Sequence, residues 1–325
     1  MVLAHHTEPV ILQRGYLGVD LFFVLSGFLI TNLLLEEWQT TNAIDFRSFY
    51  ARRALRLFPA LAVMLSASAL MMYFVPGVGQ NYRSILYAVF YVSNWVMALN
   101  LDQMSSTLIL TWSLAIEEQF YLLWPLALHL AVRRRMRARA MLIGLTCLIV
   151  LICMHRSFLF LQGAPELRVM FASDTRADSL LAGCCVGIIA NAGLLPRRIG
   201  LLGKLVIGAL ALVFTLYLVG VGQPEGVGLS VIAVFFGGLL VLLLSDPPKA
   251  LLAVLNNRML VWIGKISYGL YLWHLYAFFA VEMSGIDRKF QIVASIPLAF
   301  AFAIISYVLI ERPFLKLKRR FANST

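Results

Sequence analysis

Glu117 and Glu118 are the residues of this chain with the clearest chemical meaning. They lie side by side in Trp112–Pro125, a run that is otherwise apolar and aromatic enough to cross a bilayer. A charge at the centre of a membrane helix costs roughly 2.5–3.5 kcal/mol on insertion scales, so it is expected to face a partner, a cavity or a substrate. Ser113, Glu117 and Tyr121 share one helical face, whereas Glu118 points about 100° away. Glu117 is therefore the candidate functional carboxylate.

Two histidines could accept a proton during a reaction. His6, with His5 beside it, follows a short apolar start, and His274 lies halfway along an apolar run. Histidine titrates near neutral pH and is the usual general base. Each has an ordinary alternative. His6 could be an interfacial side chain, and His274 could be held in a structural network by Ser267 or Tyr271, which share its stripe of the helix.

Acidic residues also recur at the starts of other apolar runs. Asp20 lies in the first turns of one run, where it could serve a site or simply favour the positive end of the helix dipole. Asp174 and Asp178 share a face of another run, and Arg176 between them could neutralise part of their charge. That group could be a polar gate or a structural ion cluster.

Arg52, Arg53 and Arg56 form a compact group of guanidiniums, because each lies three or four helical positions from another. Guanidiniums in such a group suit bidentate contacts with phosphate. The alternative is ordinary anchoring of a membrane protein at its cytoplasmic face.

These residues must be positioned by membrane helices, since 61% of the chain is hydrophobic and only 13% is charged. Soluble domains are about 45–50% apolar and about 25% charged. The mean hydropathy is +0.85. The sequence predicts an all-α, polytopic membrane helical bundle. Its apolar runs are Tyr16–Leu35, Leu57–Val75, Ser84–Leu101, Thr111–Val132, Met141–Phe158, Thr175–Asn191, Leu201–Gly220, Val227–Leu244, Leu260–Ala280 and Phe290–Ile310.

Short basic clusters between the runs follow the positive-inside pattern, so the net charge of +11 does not indicate nucleic acid. Placing every cluster in the cytoplasm suits each run except Ser84–Leu101, which we expect to be a re-entrant or outer-surface segment. The prediction is about 9–10 transmembrane helices. Met1–Ala4 is too short to be the first of them, so that helix is expected to be incomplete. One integral membrane domain over 1–325, with a basic cytoplasmic tail at 316–325, fits this pattern.

No nucleotide-binding loop, hydrolase elbow or zinc-protease motif occurs, and the cysteines and histidines show no metal-ligand spacing. We therefore expect no metal and no tightly bound cofactor.

Six segments taken together resemble the acyltransferase-3 family of membrane O-acyltransferases, over nearly the whole chain. They are Gly18–Ile30, Phe49–Leu61, Trp112–Pro125, Asp174–Gly183, Gly264–His274 and Glu311–Pro313. The resemblance implies an enzyme that moves an acyl group, often acetyl, from a cytoplasmic donor to a carbohydrate at the outer face. The family's first-helix histidine matches His6, or else His5, while the arginine that precedes it by ten residues has no counterpart. The SGNH-type hydrolase domain that follows in some relatives is not expected here.

The resemblance implies acetyl-CoA or another acyl-CoA as donor, with its phosphates held by Arg52, Arg53 and Arg56. His6 would act as general base or carry the acyl group, aided by Glu117 and His274. The remaining residues expected to bind substrate are Asp20, Trp112, Tyr121, Asp174, Arg176, Asp178, Ser267 and Tyr271.

The expected partners are the lipid bilayer, the acyl-CoA and a glycan or lipid-linked sugar acceptor, at a bacterial inner membrane. The alternative function is a proton-coupled transporter, because intramembrane charged residues also serve carriers. Against a carrier, the chain has no inverted repeat and no matched pair of broken helices. A third reading is a non-catalytic membrane scaffold.

Overall fold

A computed structural model describes residues 15–75, 81–222 and 225–318. The described residues form helices and contain no strand. After a short 3₁₀ turn at Gly15–Leu17, the helices are α1 Gly18–Thr41, α2 Phe46–Phe74, α3 Arg83–Val89, α4 Ser93–Ala98, α5 Thr111–Arg133, α6 Ala138–Leu161, α7 Glu166–Phe171, α8 Ser173–Asn191, α9 Leu201–Leu218, α10 Gly228–Ser245, α11 Lys249–Leu255, α12 Arg258–Met283, α13 Arg288–Ser306 and, after a π-helical turn at Tyr307–Glu311, α14 Arg312–Lys318.

The predicted all-α membrane bundle is confirmed. Six described segments are long and apolar enough to cross a membrane: Gly18–Thr41, Phe46–Phe74, Ala138–Leu161, Leu201–Leu218, Gly228–Ser245 and Phe290–Leu317. Three further predicted spans, α5, α8 and α12, are continuous helices of 23, 19 and 26 residues. They carry Glu117, Arg176 and His274, and their crossing of the membrane stays a prediction.

The outside of the helices is apolar where lipid would lie. α9 has no buried residue at all, and Leu201 and Leu202 are 75% and 76% exposed. Large apolar surfaces of this kind are rare on water-soluble proteins and mark a surface that something apolar covers. Hydrocarbon is therefore the expected neighbour of α9.

The run Ser84–Leu101 is not one helix. Its two helices, α3 and α4, have seven and six residues and are interrupted at 90–92. At 1.5 Å per residue each is about 10 Å long, against about 30 Å of hydrocarbon. A continuous transmembrane helix through this run is excluded, as the placement of the basic clusters requires.

Contacts divide the described chain into two compact units. The first contains α1 and α4–α10, and the second contains α2, α3, the segment Gln103–Leu110 and α11–α14. The prediction of a single integral membrane domain stays a prediction.

In the first unit, α1 and α8 pack backbone against backbone. A Cβ atom at Gly27 would lie 1.9 Å from the carbonyl oxygen of Leu180, and one at Gly183 would lie 2.0 Å from that of Val24. Both distances are far shorter than real contacts, so only glycine fits. Small residues allow such close packing of membrane helices. The approach brings Asp20 of α1 against α8.

In the second unit, tyrosines of α12 hold α2 through its backbone. The hydroxyl of Tyr268 donates to the Leu57 carbonyl at 2.9 Å, and that of Tyr276 donates to the Met64 carbonyl at 3.2 Å. Tyr276 also bonds to the hydroxyl of Ser68. Each tyrosine thus buries an aromatic ring while its polar end finds a partner.

Substituting Gly183→Ala should separate α1 from α8. The added methyl group meets backbone rather than a movable side chain, so we expect destabilisation of about 3 kcal/mol or more. Thermal unfolding of the detergent-solubilised protein measures it. Gly144→Ala on α6 is the matched control, because nothing lies within 4 Å of its Cβ position. Equal melting temperatures for the two variants would contradict the close packing.

Candidate functional site

Glu117 lies in the first unit, where α5 meets α1, and is only 3% exposed. The hydroxyl of Ser26 donates to its Oε1 at 2.5 Å, and the hydroxyl of Tyr121 donates to the same oxygen. Further along the same helix pair, the Trp124 indole donates to the Thr31 hydroxyl at 2.9 Å. The shared face of Glu117 and Tyr121 is confirmed. Ser26 was missed as a partner, because sequence spacing relates residues within one helix only.

Asp20 is fully buried and pairs with Arg176 of α8. The Arg176 Nη2 lies 3.1 Å from Oδ2 of Asp20, and the Ser179 hydroxyl donates to Oδ1 at 2.7 Å. The guanidinium carbon of Arg176 lies 5.8 Å from the centre of the Trp112 ring, a cation–π distance. Trp112 in turn meets Phe23 of α1 edge to face. Asp20, Arg176 and Trp112 were each expected to bind substrate, and the structure brings them together.

A second buried ion pair joins Arg156 of α6 to Asp178 of α8. Arg156 Nη2 lies 2.9 Å from Oδ2 of Asp178, and its Nε and Nη1 donate to the carbonyls of Gly226 and Thr175 at 2.8 and 2.5 Å. The Ser230 hydroxyl also donates to Asp178 at 2.7 Å. Sequence reasoning missed Arg156, although an arginine inside an apolar run was a signal that could have found it.

Asp174 has a third set of partners. It accepts two bonds from Arg168, at 2.8 and 2.5 Å, and its carboxylate lies 3.2 Å from His155. The expectation that Arg176 neutralises Asp174 and Asp178 is therefore corrected. Residues two apart on a helix face different sides, so the three charges of α8 meet three different neighbours.

A ring of amide and hydroxyl groups fixes α4 against α5 and α8. Gln119 donates to the side-chain oxygen of Asn94 at 3.0 Å, Asn94 donates to the Ser173 hydroxyl at 2.9 Å, and Ser173 donates back to Gln119 at 2.5 Å. Asn94 is fully buried. Asn94, which lies in the predicted re-entrant segment, thus holds α4 against its neighbours.

In the second unit, His274 is 2% exposed, and its Nδ1 lies 2.7 Å from the backbone carbonyl of Tyr271. A carbonyl only accepts, so Nδ1 carries the proton and Nε2 holds the lone pair of the neutral ring. The Tyr271 hydroxyl donates to the Leu110 carbonyl at 3.0 Å, and the Ser267 hydroxyl to that of Gly264 at 2.9 Å. The hydroxyls of Ser267 and Tyr271 thus each donate to a backbone carbonyl.

Arg52, Arg53 and Arg56 lie on the first turns of α2, which begins earlier than the apolar run predicted. Asp45 caps this helix by accepting from the Ser48 backbone at 3.0 Å. Hydrogen bonds from Ser48, and less strongly the charge of Arg52, hold the pKa of Asp45 below its ordinary value. The cap is therefore ionised at neutral pH.

Glu311, the first residue of the segment Glu311–Pro313, is buried within the π-helical turn of the second unit. It accepts from the Ser306 hydroxyl at 3.2 Å. A Cβ at Gly269 would lie 2.7 Å from its Oε1, so α12 passes close to this carboxylate. The charge of Arg56 also acts on it.

His6 and His5 lie outside the described residues. Among the residues that are described, no group of three or more His, Cys, Asp or Glu side chains could hold a metal ion.

Comparison with known proteins decides the family. The family model of the acyltransferase domain matches residues 1–311. The chain belongs to the acyltransferase-3 family. The resemblance seen in six sequence segments is therefore confirmed, and the chain carries an acyltransferase domain.

Two curated relatives of this acyltransferase-3 chain illustrate the match. Peptidoglycan O-acetyltransferase OatA of Listeria monocytogenes is 31% identical over 335 residues, covering 97% of this chain and 54% of that protein. O-acetyltransferase OatA of Staphylococcus aureus strain NCTC 8325 is 34% identical over 338 residues, covering 97% and 55%. The chain spans about half the length of these relatives. No solved structure matches it.

Replacing Arg156 by methionine should strand the Asp178 carboxylate inside this acyltransferase-3 domain. Removing one partner of a buried ion pair costs about 3–5 kcal/mol, because the other charge stays buried without compensation. Adding Asp178→Asn to Arg156→Met removes the stranded charge and should recover much of the melting temperature. Equal melting temperatures for the single and double variants would mean that Arg156 and Asp178 do not interact energetically.

Proposed function

We propose that this chain is a membrane O-acyltransferase that moves an acyl group, acetyl in the simplest case, from an acyl-CoA to a hydroxyl of a cell-envelope glycan. Family membership supports acyl transfer, and the names of the two relatives support acetyl as the group. One of those names specifies peptidoglycan, which supports a glycan acceptor. The observation that carries the proposal is the buried Glu117 carboxylate with two hydroxyls on one oxygen.

The reaction needs a base for the hydroxyl proton. As the acceptor oxygen bonds to the acyl carbon, the carbon–sulfur bond of the thioester breaks, and the proton passes through the base to the departing thiolate. A histidine suits this transfer at neutral pH. A fixed carboxylate beside a histidine stabilises the charged imidazole and sets its tautomer.

Glu117 is proposed as that fixed carboxylate. Ser26 and Tyr121 hold Oε1 from two different helices, so the group has little freedom to rotate. His6 is proposed as the general base or as a transient acyl carrier, on the strength of the family resemblance.

His274 is a second candidate base, in the second unit. The Tyr271 carbonyl fixes its Nδ1–H tautomer, so the basic nitrogen of the neutral ring is Nε2. Its side chain is almost fully buried. Tyr271 is thus proposed to act on His274 through its backbone carbonyl.

Arg52, Arg53 and Arg56 are proposed to bind the phosphates of the acyl-CoA. Arg56 is exposed, and Arg52 and Arg53 are half-buried. Arginine binds phosphate through paired donors, so three on the first turns of one helix can serve a polyphosphate. Cytoplasmic placement of this end of α2 at a bacterial inner membrane is part of the proposal.

Glu117→Gln should lower transfer of labelled acetyl from acetyl-CoA to peptidoglycan fragments by about 10²-fold or more. The amide keeps the size of the side chain and an acceptor for Ser26, but it loses the charge that stabilises a protonated base. The transfer is carried out in proteoliposomes and measured by scintillation counting of the glycan after its purification. Glu118→Gln is the matched control, since it makes the same change one position away on a half-buried side chain.

Equal losses in the two variants would contradict the assignment to Glu117. Substrate uptake into the vesicles without any chemical change would instead favour a proton-coupled carrier.

The triple variant Arg52→Gln, Arg53→Gln, Arg56→Gln should raise KM for acetyl-CoA by about 10–100-fold, because charge-assisted contacts with phosphate are lost. The same variant should use S-acetylpantetheine, which lacks the nucleotide phosphates, as well as the wild type does. Steady-state kinetics with both donors separate these effects. An equal loss with both donors would mean that the arginines do not read the phosphates.

A further inference from the structure

Arg176 is the buried cation of the first unit whose donors are not all used. Its Nε and Nη1 have no hydrogen-bond partner among the described residues, although the side chain is fully buried. Arg156, equally buried, donates from Nε, Nη1 and Nη2. Guanidinium groups left without partners in a dry interior are unfavourable. The contrast indicates that Arg156 completes a structural network and that Arg176 is arranged for a further acceptor.

The ionic contact of Arg176 with Asp20 is also long. Its Nη2 lies 3.1 Å from Asp20, whereas charge-assisted contacts are commonly about 2.7–2.9 Å. The Ser179 hydroxyl takes the other oxygen of Asp20. Among the described residues, Asp20 thus holds Arg176 by a single bond, and Nε and Nη1 stay available.

The surroundings of Arg176 connect it to Glu117 through two helices. On α1, Asp20 and Ser26 are six positions apart, roughly 9 Å along the axis. On α5, Trp112, which lies under the guanidinium, and Glu117 are five positions apart, roughly 7–8 Å. Along both helices, the residues that contact the cation therefore lie one to two turns from Glu117 or its partner Ser26, at the scale of one small acyl group with its attacking hydroxyl.

We propose that Arg176 is a catalytic residue of acyl transfer, which donates from Nε or Nη1 to the acyl carbonyl oxygen as it becomes an oxyanion. The acceptor oxygen adds to the thioester carbon, and the carbonyl electron pair moves onto its oxygen, where Arg176 meets it. When the pair returns, the carbon–sulfur bond breaks, and the hydroxyl proton reaches the thiolate through the base. No further reactant is needed. This inference rests on the proposed acyl transfer.

An arginine suits this position for two physical reasons. Its planar guanidinium offers several donors in a fixed arrangement. Its donors are already in place before the oxyanion forms, so little reorganisation accompanies the reaction. A buried, preorganised donor of this kind contributes to the transition state more than to ground-state binding.

The test compares Arg176→Lys with Arg156→Lys in the full chain in proteoliposomes, with acetyl-CoA and peptidoglycan fragments. Both variants keep a cation beside an aspartate and lose the planar set of donors. Arg176→Lys should lower kcat per folded molecule by about 10²-fold with little change in KM for either substrate. Arg156→Lys should lower the melting temperature, while its folded fraction keeps kcat within about threefold.

A second variant tests whether misfolding explains the loss of kcat. Asp20→Asn with Arg176→Gln removes both charges together, which buried pairs tolerate better than loss of one partner. It should fold, by size-exclusion and thermal melting, and still show the loss of kcat.

Three results would overturn the inference. Unchanged kcat in Arg176→Lys, or in the folded double variant, would leave Arg176 structural. A rise in KM for the glycan with kcat unchanged would make it a ground-state contact for an anionic acceptor group. Absence of transfer by the wild type would remove the proposed function and this inference together, whereas an active wild type with unaffected variants removes the inference alone.

Discussion

The backbone contact between α1 and α8 determines where the buried charges of the first unit can lie. At Gly27 and Gly183 no side chain separates the two helices, so their backbones meet directly there. With the helices this close, Asp20 reaches Arg176 and Ser179 directly. Lipid supplies no hydrophobic driving force between helices, so close packing and polar contacts must hold them. The glycine contact thus allows the ion pair to form, and the ion pair in turn stabilises the contact between the helices.

The two buried ion pairs of the first unit differ in how many nitrogens of the arginine have partners. The Asp178 pair uses every guanidinium nitrogen of its arginine, and hydroxyl and carbonyl oxygens complete the set. The Asp20 pair leaves two guanidinium nitrogens without a partner among the described residues. A low dielectric makes an unpartnered polar group unfavourable, so such groups persist where binding or chemistry uses them. One member of each pair, Arg176 or Asp178, lies on α8. The difference between the pairs is therefore informative.

Periodicity predicted most of the helices, and the charge pattern predicted that 84–101 would not cross. The face shared by Glu117 and Tyr121 follows from spacing within one helix, and it is confirmed. Ser26, Arg156 and Arg168 were missed as partners, because each meets its acid through a contact that local helical spacing does not reveal. The glycines at 183 and 187 form a small-residue spacing that predicts a close helix crossing, but this spacing does not identify α1 as the partner. A single sequence does not show which helices pack against each other.

Hydroxyl groups have two uses in these helices. In the second unit, Tyr268, Tyr271 and Tyr276 donate to backbone carbonyls of other segments, and so they hold the helices without charge. In the first unit, Ser26 and Tyr121 donate to a carboxylate. A neutral donor stabilises a buried anion without cancelling its charge, whereas an arginine would pair with it and neutralise it. In the proposed mechanism, Ser26 and Tyr121 thus orient the Glu117 carboxylate for a protonated base, and Asp20 and Asp178 each contact a guanidinium.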